Sequence, residues 1–343
     1  MKKLVAILLS LAMVLSLAAC GSKTPASTEA PKPGESTAAP KANWPKGNIE
    51  IIVPFAAGGA MDLSARLTAQ YLEKELGVTI TVNNVEGGSN WNGYEQIEKA
   101  DGDGYTLGFA NYPGQVGGYL DPTKKRTETF RSFTNIANIV HDAGIIVVPE
   151  NSPYQTLQEL LDAAKGGKVL NVATGGGKGS DDDTLIRLIN RALGIETLNC
   201  LGNESDKLAR AALFGGEADL WACNVSNFCK TYTSKGQPDS VRVLAVFDAE
   251  KQALMPDVPT IDELNIPELK GLYSSSDRGL IATKNLDPAV LEIIVAALKK
   301  VQVNPDFIAA AKEQGMGINM LFGADFEKFI EGVETTMKEL KLW

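Results

Sequence analysis

Residues 51–76, with the sequence IIVPFAAGGAMDLSARLTAQYLEKEL, constrain the fold of this chain more than any other segment. The apolar run at 51–55 is typical of a buried strand, and Leu and Tyr recur at helical spacing between residues 63 and 76. Gly58 and Gly59 fill the turn between the two. Glycine lets the backbone approach a ligand closely, and the free N–H groups at the start of a helix favour a carboxylate or a phosphate. The segment therefore predicts either an anion-binding loop or the ordinary glycine turn of a doubly wound sheet.

Strand-like and helical segments alternate along the rest of the chain. The predicted strands lie at 79–83, 105–110, 136–140, 144–148 and 169–173, and predicted helices lie at about 94–100 and 157–164. Asp287 and Pro288 begin a further helix, whose apolar residues between 291 and 301 share one face. This alternation predicts an α/β fold with parallel sheets and helical crossovers. The roughly 300 residues after residue 43 suit two such domains better than one core.

The first 43 residues have the composition of a targeting segment and a linker. Lys2 and Lys3 precede an apolar run at 4–17, and the sequence LAAC then ends at Cys20, so we predict a lipoprotein signal peptide at 1–19 and lipidation of Cys20. A plain secretory signal with a chance cysteine is the alternative. Residues 20–43 are rich in Pro, Ser, Thr, Ala and Lys and lack large apolar side chains, which predicts a disordered tether. We expect a soluble body held by lipid on the outer face of a bacterial cell membrane.

Charge and cysteine content narrow the possible partners. The formal net charge of −9 becomes −11 once the two lysines of the signal peptide are removed, which makes nucleic acid an unfavourable partner. Besides Cys20 the chain has Cys200, Cys223 and Cys229, without CxxC or Cys/His metal spacing. At least one of these three thiols is expected to be free or paired between molecules. An extracytoplasmic location permits a disulfide, but the spacing does not establish one.

Several blocks between Trp44 and the end of the chain resemble the extracytoplasmic solute receptors of tripartite tricarboxylate transporters, also called Bug proteins. The blocks are IIVPFAAGGAMD (51–62), ADGDGYTLGFAN (100–111), GKGS (177–180), FGGEADL (214–220) and RVLAVFDAEKQALMPDVPTIDEL (242–264). The resemblance implies a two-lobed periplasmic-binding-protein fold of the type II-like kind, in which each lobe is a mainly parallel sheet flanked by helices. It also implies a small carboxylate-bearing solute between the lobes, membrane permease subunits as partners, and no cofactor or metal.

The resemblance also implies lobe boundaries. Lobe 1 would comprise residues 44–141 plus 249–343, and lobe 2 would comprise residues 142–248. The chain would cross between the lobes near 141–147 and 243–248, and residues from 259 onward would complete lobe 1.

The same resemblance supplies candidate ligand-binding residues, with main-chain N–H groups and ordered waters holding the carboxylate. The loop after the first strand contributes Phe55, Ala56, Ala57, Gly58, Gly59, Ala60 and Asp62. The other candidates are Asn111, Tyr112, Gly177, Lys178, Gly179, Ser180, Asp183 and Asn203.

Two aspartates in this set are unexpected beside an anion. Asp62 is interpreted as a first-turn residue that bonds free N–H groups, with a bond to a ligand donor as the alternative. Asp183 stands where the family usually has a histidine, within a run of three aspartates that either cap a helix or face the cleft. An unpaired carboxylate near an anion would repel it. The hypothesis is therefore an amino-acid-like solute, or one with several hydroxyl groups beside its carboxylate.

Other functions fit the sequence less well. The chain has one histidine, His141, and no GxSxG, HExxH or ordered triad, so catalysis is not expected. The GGGKGS stretch lacks the order GxxxxGK[ST] of a phosphate-binding loop. A metal site on the three consecutive aspartates is least favoured, because such carboxylates rarely share one ion without other ligands. A sensor subunit that signals the bound solute to a membrane partner remains the alternative to a transport receptor.

Overall fold

Strands and helices alternate through residues 43–228 and 240–343, the parts of the chain that the structure, a computed structural model, describes. The predicted signal peptide, Cys20, the tether up to residue 42 and Cys229 lie outside the described residues. The strands are β1 (Ile49–Val53), β2 (Ile80–Asn84), β3 (Thr106–Tyr112), β4 (Phe133–Pro149), β5 (Leu170–Thr174), β6 (Leu198–Cys200), β7 (Leu220–Asn224), β8 (Val241–Phe247), β9 (Ser275–Thr283) and β10 (Gly317–Ile318). The helices are α1 (Ala60–Leu76), α2 (Trp91–Glu98), α3 (Gly114–Leu120), α4 (Leu157–Lys165), α5 (Asp181–Leu193), α6 (Asp206–Phe214), α7 (Pro288–Gln302), α8 (Pro305–Glu313) and α9 (Ala324–Leu340).

The strands form one curled sheet in the order β2-β1-β3-β9-β4-β7-β5-β6, and β8 and β10 also pair with β4. β1 runs parallel to β2 and β3, and β5 runs parallel to β6 and β7. The pairs that involve β4 or β9 are antiparallel. The α/β fold class is confirmed, although the sheet is more mixed than the mainly parallel one that was predicted.

β4 differs from the two separate strands predicted at 136–140 and 144–148, because it is continuous over 17 residues. Its first part pairs with β9 as far as Ala143, and its second part pairs with β7 and β8 from Gly144 onward. The polar residues His141 and Asp142 interrupt the apolar pattern but do not end the strand. Both find partners that are distant in sequence, His141 with two aspartates and Asp142 with Arg278.

Helices cover both faces of the sheet in each half of the molecule. In the first half, α1, α7 and α8 pack with β1 and β3 in one apolar cluster, and α2, α3 and α9 form a second cluster on the other face. In the second half, α4 and α5 pack on one face and α6 on the other. Within the described ranges, no helix combines the length and the apolar character needed to cross a membrane.

The division into the two predicted lobes remains a prediction, but several contacts bear on its second crossing. Ile261, Ile266 and Leu269 pack in the same cluster as α4 and α5, although residues 249–343 were assigned to lobe 1. The N–H of Ser274 then bonds the carbonyl of Phe247, and β9 follows directly. These contacts favour a return crossing near Ser274 rather than near residue 249.

Candidate functional site

The loop between β1 and α1, residues 54–59, is held by an aspartate in the first turn of the helix. Gly58 has a φ of +81°, a conformation that favours glycine. Its N–H donates to Asp62 Oδ2 at 2.8 Å, and Arg66 Nε donates to the same oxygen at 3.0 Å. Arg66 Nη2 lies 2.9 Å from Asp62 Oδ1. Although burial opposes the charge, the hydrogen bonds from Arg66 and the Gly58 N–H hold the pKa of Asp62 below its usual value.

The loop between β5 and α5, residues 175–180, is held in the same way. Gly179 has a φ of +84°, and its N–H donates to Asp183 Oδ2 at 2.9 Å. Arg187 Nε and Nη2 donate to the two oxygens of Asp183 at 2.8 and 3.0 Å. Ser180 caps α5, because its Oγ accepts the N–H of Asp183 at 3.2 Å. The two loops therefore share one construction: a glycine N–H bonded to the third residue of the helix, which pairs with an arginine one turn later.

The shared construction bears on the question that the sequence left open about Asp62 and Asp183. Their side chains are 3% and 1% exposed and are bonded within their own loop and helix. The geometry thus favours the capping interpretation for both, and the paired arginines compensate their charge. Asp183 is therefore no reason to expect that a carboxylate ligand would be repelled.

Two neighbouring aspartates at the start of α5 have a different environment. Asp181 Oδ2 accepts Asn224 Nδ2 at 2.8 Å, and Asp182 Oδ2 accepts the Gly175 N–H at 2.9 Å. Burial is the main reason that the pKa of Asp181 rises to about 6. Burial and then the charge of Asp181 also raise the pKa of Asp182. Burial and their mutual repulsion therefore make it unfavourable for both carboxyl groups to be ionised together.

A buried polar network runs between the starts of α1 and α5. Arg278 on β9 donates from Nη2 to Asp142 Oδ2 at 2.7 Å, and its Nη1 lies 3.5 Å from Ser64 Oγ on α1. Asn224 Nδ2 lies 3.1 Å from the carbonyl of Asp142 and 2.8 Å from Asp181 Oδ2. Sequence reasoning missed this network. The one available signal was an arginine beside the apolar run 279–282.

The second loop packs against α3 and Trp343. A Cβ added at Gly179 would lie 2.9 Å from Trp343 Cζ2 and 3.5 Å from the Cα of Gly117. A Cβ added at Gly117 would lie 2.7 Å from the carbonyl oxygen of Gly179. Lys178 Nζ lies 5.8 Å from the centre of the Trp343 ring. No local pattern in the sequence indicated this contact between distant segments.

Of the remaining predicted ligand-binding residues, some are exposed in the first loop and others are buried in the core. Phe55 is half-buried against the core of the first half, whereas Ala56, Ala57, Gly58 and Gly59 are exposed. Asn111 Nδ2 donates to Ser276 Oγ at 2.7 Å. Tyr112 is fully buried, its hydroxyl donates to Asn135 Oδ1 at 3.1 Å, and its ring packs on Phe326. The Tyr112 side chain therefore belongs to the core, and only its backbone can reach a ligand.

Asn203 follows β6 and joins the second loop through its backbone. Its carbonyl accepts the Gly177 N–H at 3.0 Å, and its own N–H donates to the Thr174 carbonyl at 2.9 Å. The side-chain Oδ1 of Asn203 is buried and has no partner among the described residues. Ala60 begins α1, Ser180 is the N-cap of α5, and Gly177 lies within the second loop.

The cysteines and carboxylates of the described residues offer no metal centre. No group of three or more His, Cys, Asp or Glu side chains in residues 43–228 and 240–343 is arranged to hold a metal ion. Cys200 and Cys223 are both free thiols. Burial is the main cause that raises the pKa of the Cys200 thiol to about 12, which makes it a poor nucleophile.

Known proteins share both the fold and the sequence pattern. A UPF0065 protein from Cupriavidus necator is 26% identical over 306 residues, which cover 86% of each chain. The crystal structure of a TctC solute binding protein from Polaromonas is 26% identical, has a TM-score of 0.71, and matches over 87% of this chain and 98% of that one. MatC from Rhodopseudomonas palustris, solved with bound malate, is 21% identical with a TM-score of 0.66 over 87% of this chain and 98% of that one, which shows the shared fold alone.

The Polaromonas structure is that of a solute binding protein, and the matching family is one of receptors rather than enzymes, in agreement with the prediction that the chain does no catalysis. Residues 64–341 match the family model described as the tripartite tricarboxylate transporter family receptor. The matched segment covers most of the chain; it begins within α1, after the loop at 54–59, and includes the loop at 175–180. The chain therefore belongs to the family of tripartite tricarboxylate transporter receptors.

Proposed function

We propose that this protein is an extracytoplasmic receptor that captures a small carboxylate-bearing solute between the loop at 54–59 and the loop at 175–180. The observation that carries the proposal is their shared construction, with Gly58 tied to Asp62 and Gly179 tied to Asp183. Fixing the loop in this way holds the first N–H groups of α1 and α5, which have no intrahelical acceptor, in place for an anion.

Charge in the loops is compatible with a carboxylate guest. Asp62 and Asp183 are paired with Arg66 and Arg187, so neither loop presents an uncompensated carboxylate at its capping position. The positive end of each helix dipole then favours a negative group. Arg278, between the two helix starts, is paired with Asp142, so this buried pair adds no net charge there. The malate bound to MatC agrees with this ligand class.

The proposed transport role adds two partners. The receptor would hand its solute to the membrane permease subunits of a tripartite transporter, and lipid on Cys20 would hold it at the outer face of the cell membrane. A Cys20→Ala protein should then leave the membrane fraction, and retention there would contradict the anchor.

A sensor subunit is the alternative function. Neighbouring genes for the two membrane components of a transporter would favour transport, and a neighbouring gene for a histidine kinase would favour sensing.

Binding can be tested with a pair of glycine variants at opposite ends of α1. Gly58 and Gly77 have φ values of +81° and +71°, and an added Cβ meets nothing within 4 Å at either position. Both Gly58→Ala and Gly77→Ala should therefore lower the free energy of unfolding by about 1 kcal/mol. Only Gly58→Ala should weaken the binding of a carboxylic acid, measured by calorimetry after a thermal-shift screen. Equal affinities of the two variants, or no stabilising acid for the wild type, would contradict the proposal.

A further inference from the structure

Buried polar side-chain atoms without a partner concentrate around the loop at 175–180. Among the described residues, Gln115 has neither its Nε2 nor its Oε1 hydrogen-bonded, and Trp343 Nε1 and Asn203 Oδ1 are likewise buried without a partner. The hydroxyls of Thr174 and Thr184, at the end of β5 and in the second turn of α5, share this state. An unpaired buried polar group costs about 1–3 kcal/mol, so a cluster of them calls for a partner.

Gln115 lies in a short segment that is close to both glycine loops. It sits in the first turn of α3, directly after β3, and its side chain is 1% exposed. β3 is parallel to β1 and pairs with it, so the segment after β3 lies at the same sheet edge as the loop at 54–59. Gly117, two residues later, contacts Gly179 of the other loop. The free amide thus belongs to the short segment that borders both loops.

Trp343 packs its indole ring against the second loop. The ring atoms nearest to a Cβ added at Gly179 are Cζ2 and Cη2, at 2.9 and 3.0 Å. In an indole Cζ2 is bonded to Cε2, which carries Nε1, so the buried N–H lies next to the ring edge that packs on the loop. The nearby Lys178 ammonium places positive charge over the same ring. An N–H donor so placed suits a carboxylate oxygen.

The acceptors in this cluster set a condition on the solute. A primary amide carries two N–H donors and a carbonyl acceptor, and the Oε1 of Gln115 needs a donor just as Asn203 Oδ1 does. A carboxylate only accepts hydrogen bonds, so it can satisfy Gln115 Nε2 and Trp343 Nε1 but neither carbonyl oxygen. The donor has to come from another group of the solute.

We infer that Gln115 and Trp343 contact the solute directly, and that the solute carries a hydrogen-bond donor, such as a hydroxyl or an amine, close to its carboxylate. This inference rests on the proposed function and assigns its specificity to residues 115, 203 and 343. Trp343 binds the carboxylate, and the amide of Gln115 distinguishes acids that carry a donor from acids that lack one.

The experiment compares matched acids that differ only in the donor: succinate, malate and aspartate, together with glutarate, 2-hydroxyglutarate and glutamate. Calorimetry with the wild type should show a donor-bearing acid that binds about tenfold more tightly than its plain counterpart. Gln115→Met keeps the length of the side chain and removes its polar atoms. It should reduce this preference to about twofold or less, without lowering the unfolding temperature of the unliganded protein.

Trp343→Phe has a matched control in Trp221→Phe. Trp221 also has a buried Nε1 without a partner among the described residues, but it lies in the core of the second half. Trp343→Phe should weaken the binding of both acids of a pair by about tenfold, and Trp221→Phe should leave both affinities within about twofold of the wild type.

The outcomes separate the inference from the proposed function. If acids bind the wild type but Gln115→Met keeps the full preference, the inference is wrong and the proposed function stands. If none of the acids binds the wild type, both the inference and the proposed function are wrong. If Gln115→Met unfolds, Gln115→Glu decides, because glutamate keeps the shape and the acceptors but lacks the donors at neutral pH. Gln115→Glu should therefore keep the preference for donor-bearing acids but bind every acid about tenfold more weakly, and an affinity within about twofold of the wild type would overturn the inference.

Discussion

His141 shows how one side chain can join three strands. Its Nδ1 lies 3.1 Å from Asp277 Oδ1 on β9, and its Nε2 lies 3.2 Å from Asp248 Oδ2 directly after β8. Burial disfavours the charged imidazole, but the hydrogen bonds and charges of Asp248 and Asp277 outweigh it and raise the pKa of His141 to about 10. A protonated imidazole therefore stabilises β4 close to the point where it passes from one half of the sheet to the other.

The raised pKa predicts a specific pH dependence of stability. The folded pKa of about 10 exceeds the ordinary value of 6.5, so the contribution is fully present below about pH 6.5 and is lost as the pH rises towards 10. Between these values the free energy of unfolding should fall by up to about 1.4 kcal/mol per pH unit from this group. Urea unfolding at several pH values should show this slope in the wild type and a flatter profile in His141→Gln. Parallel profiles would contradict the assignment of the charge to His141.

Individual elements were predicted from the sequence to different degrees. The strand, glycine turn and helix at 51–76 follow from local periodicity and appear as β1 and α1. Leu63 was placed with the apolar residues of that helix but is 42% exposed, because periodicity shows that a helix forms and not how far its buried face extends. β4 was divided at His141 and Asp142 because their partners, Asp248, Asp277 and Arg278, come more than a hundred residues later. Local patterns contain no information on such contacts.

Helix α5 contains two arginines, Arg187 and Arg191, and the second provides a matched control for the first. Arg187→Met would leave the buried Asp183 carboxylate without its cation although it still accepts the Gly179 N–H, and we expect a loss of about 1–3 kcal/mol together with weaker acid binding. The other arginine, Arg191, lies 3.9 Å from Glu339 with both side chains largely exposed. Arg191→Met should therefore cost less than about 1 kcal/mol. Chemical denaturation of the two variants checks this difference, and equal losses would show that the Asp183 pair does not hold the loop.

For the whole molecule, the sequence indicated the two loops of the proposed site but not the contacts that connect them. The glycine loops at 54–59 and 175–180 carry visible turn residues and helix starts, so local chemistry and family resemblance both reached them. Gln115 and Trp343 were missed because a polar residue in a short helix and a tryptophan far along the chain have no local signature. Arg278 and Asp142 were missed for the same reason. Long-range packing alone brings these residues to the loops.

The ion pair between Arg278 and Asp142 links the two halves of the molecule, and its loss should affect the whole fold. Both side chains are almost completely buried, and Asp142 also accepts the Ser226 N–H at 3.0 Å. Arg278→Met leaves a buried carboxylate without its cation, which typically costs about 3–5 kcal/mol. Lys99→Met removes an exposed pair with Glu95 and should cost less than about 1 kcal/mol. Urea unfolding of both variants decides the matter: a deficit for Arg278→Met as small as that for Lys99→Met would show that the pair does not stabilise the junction between the halves.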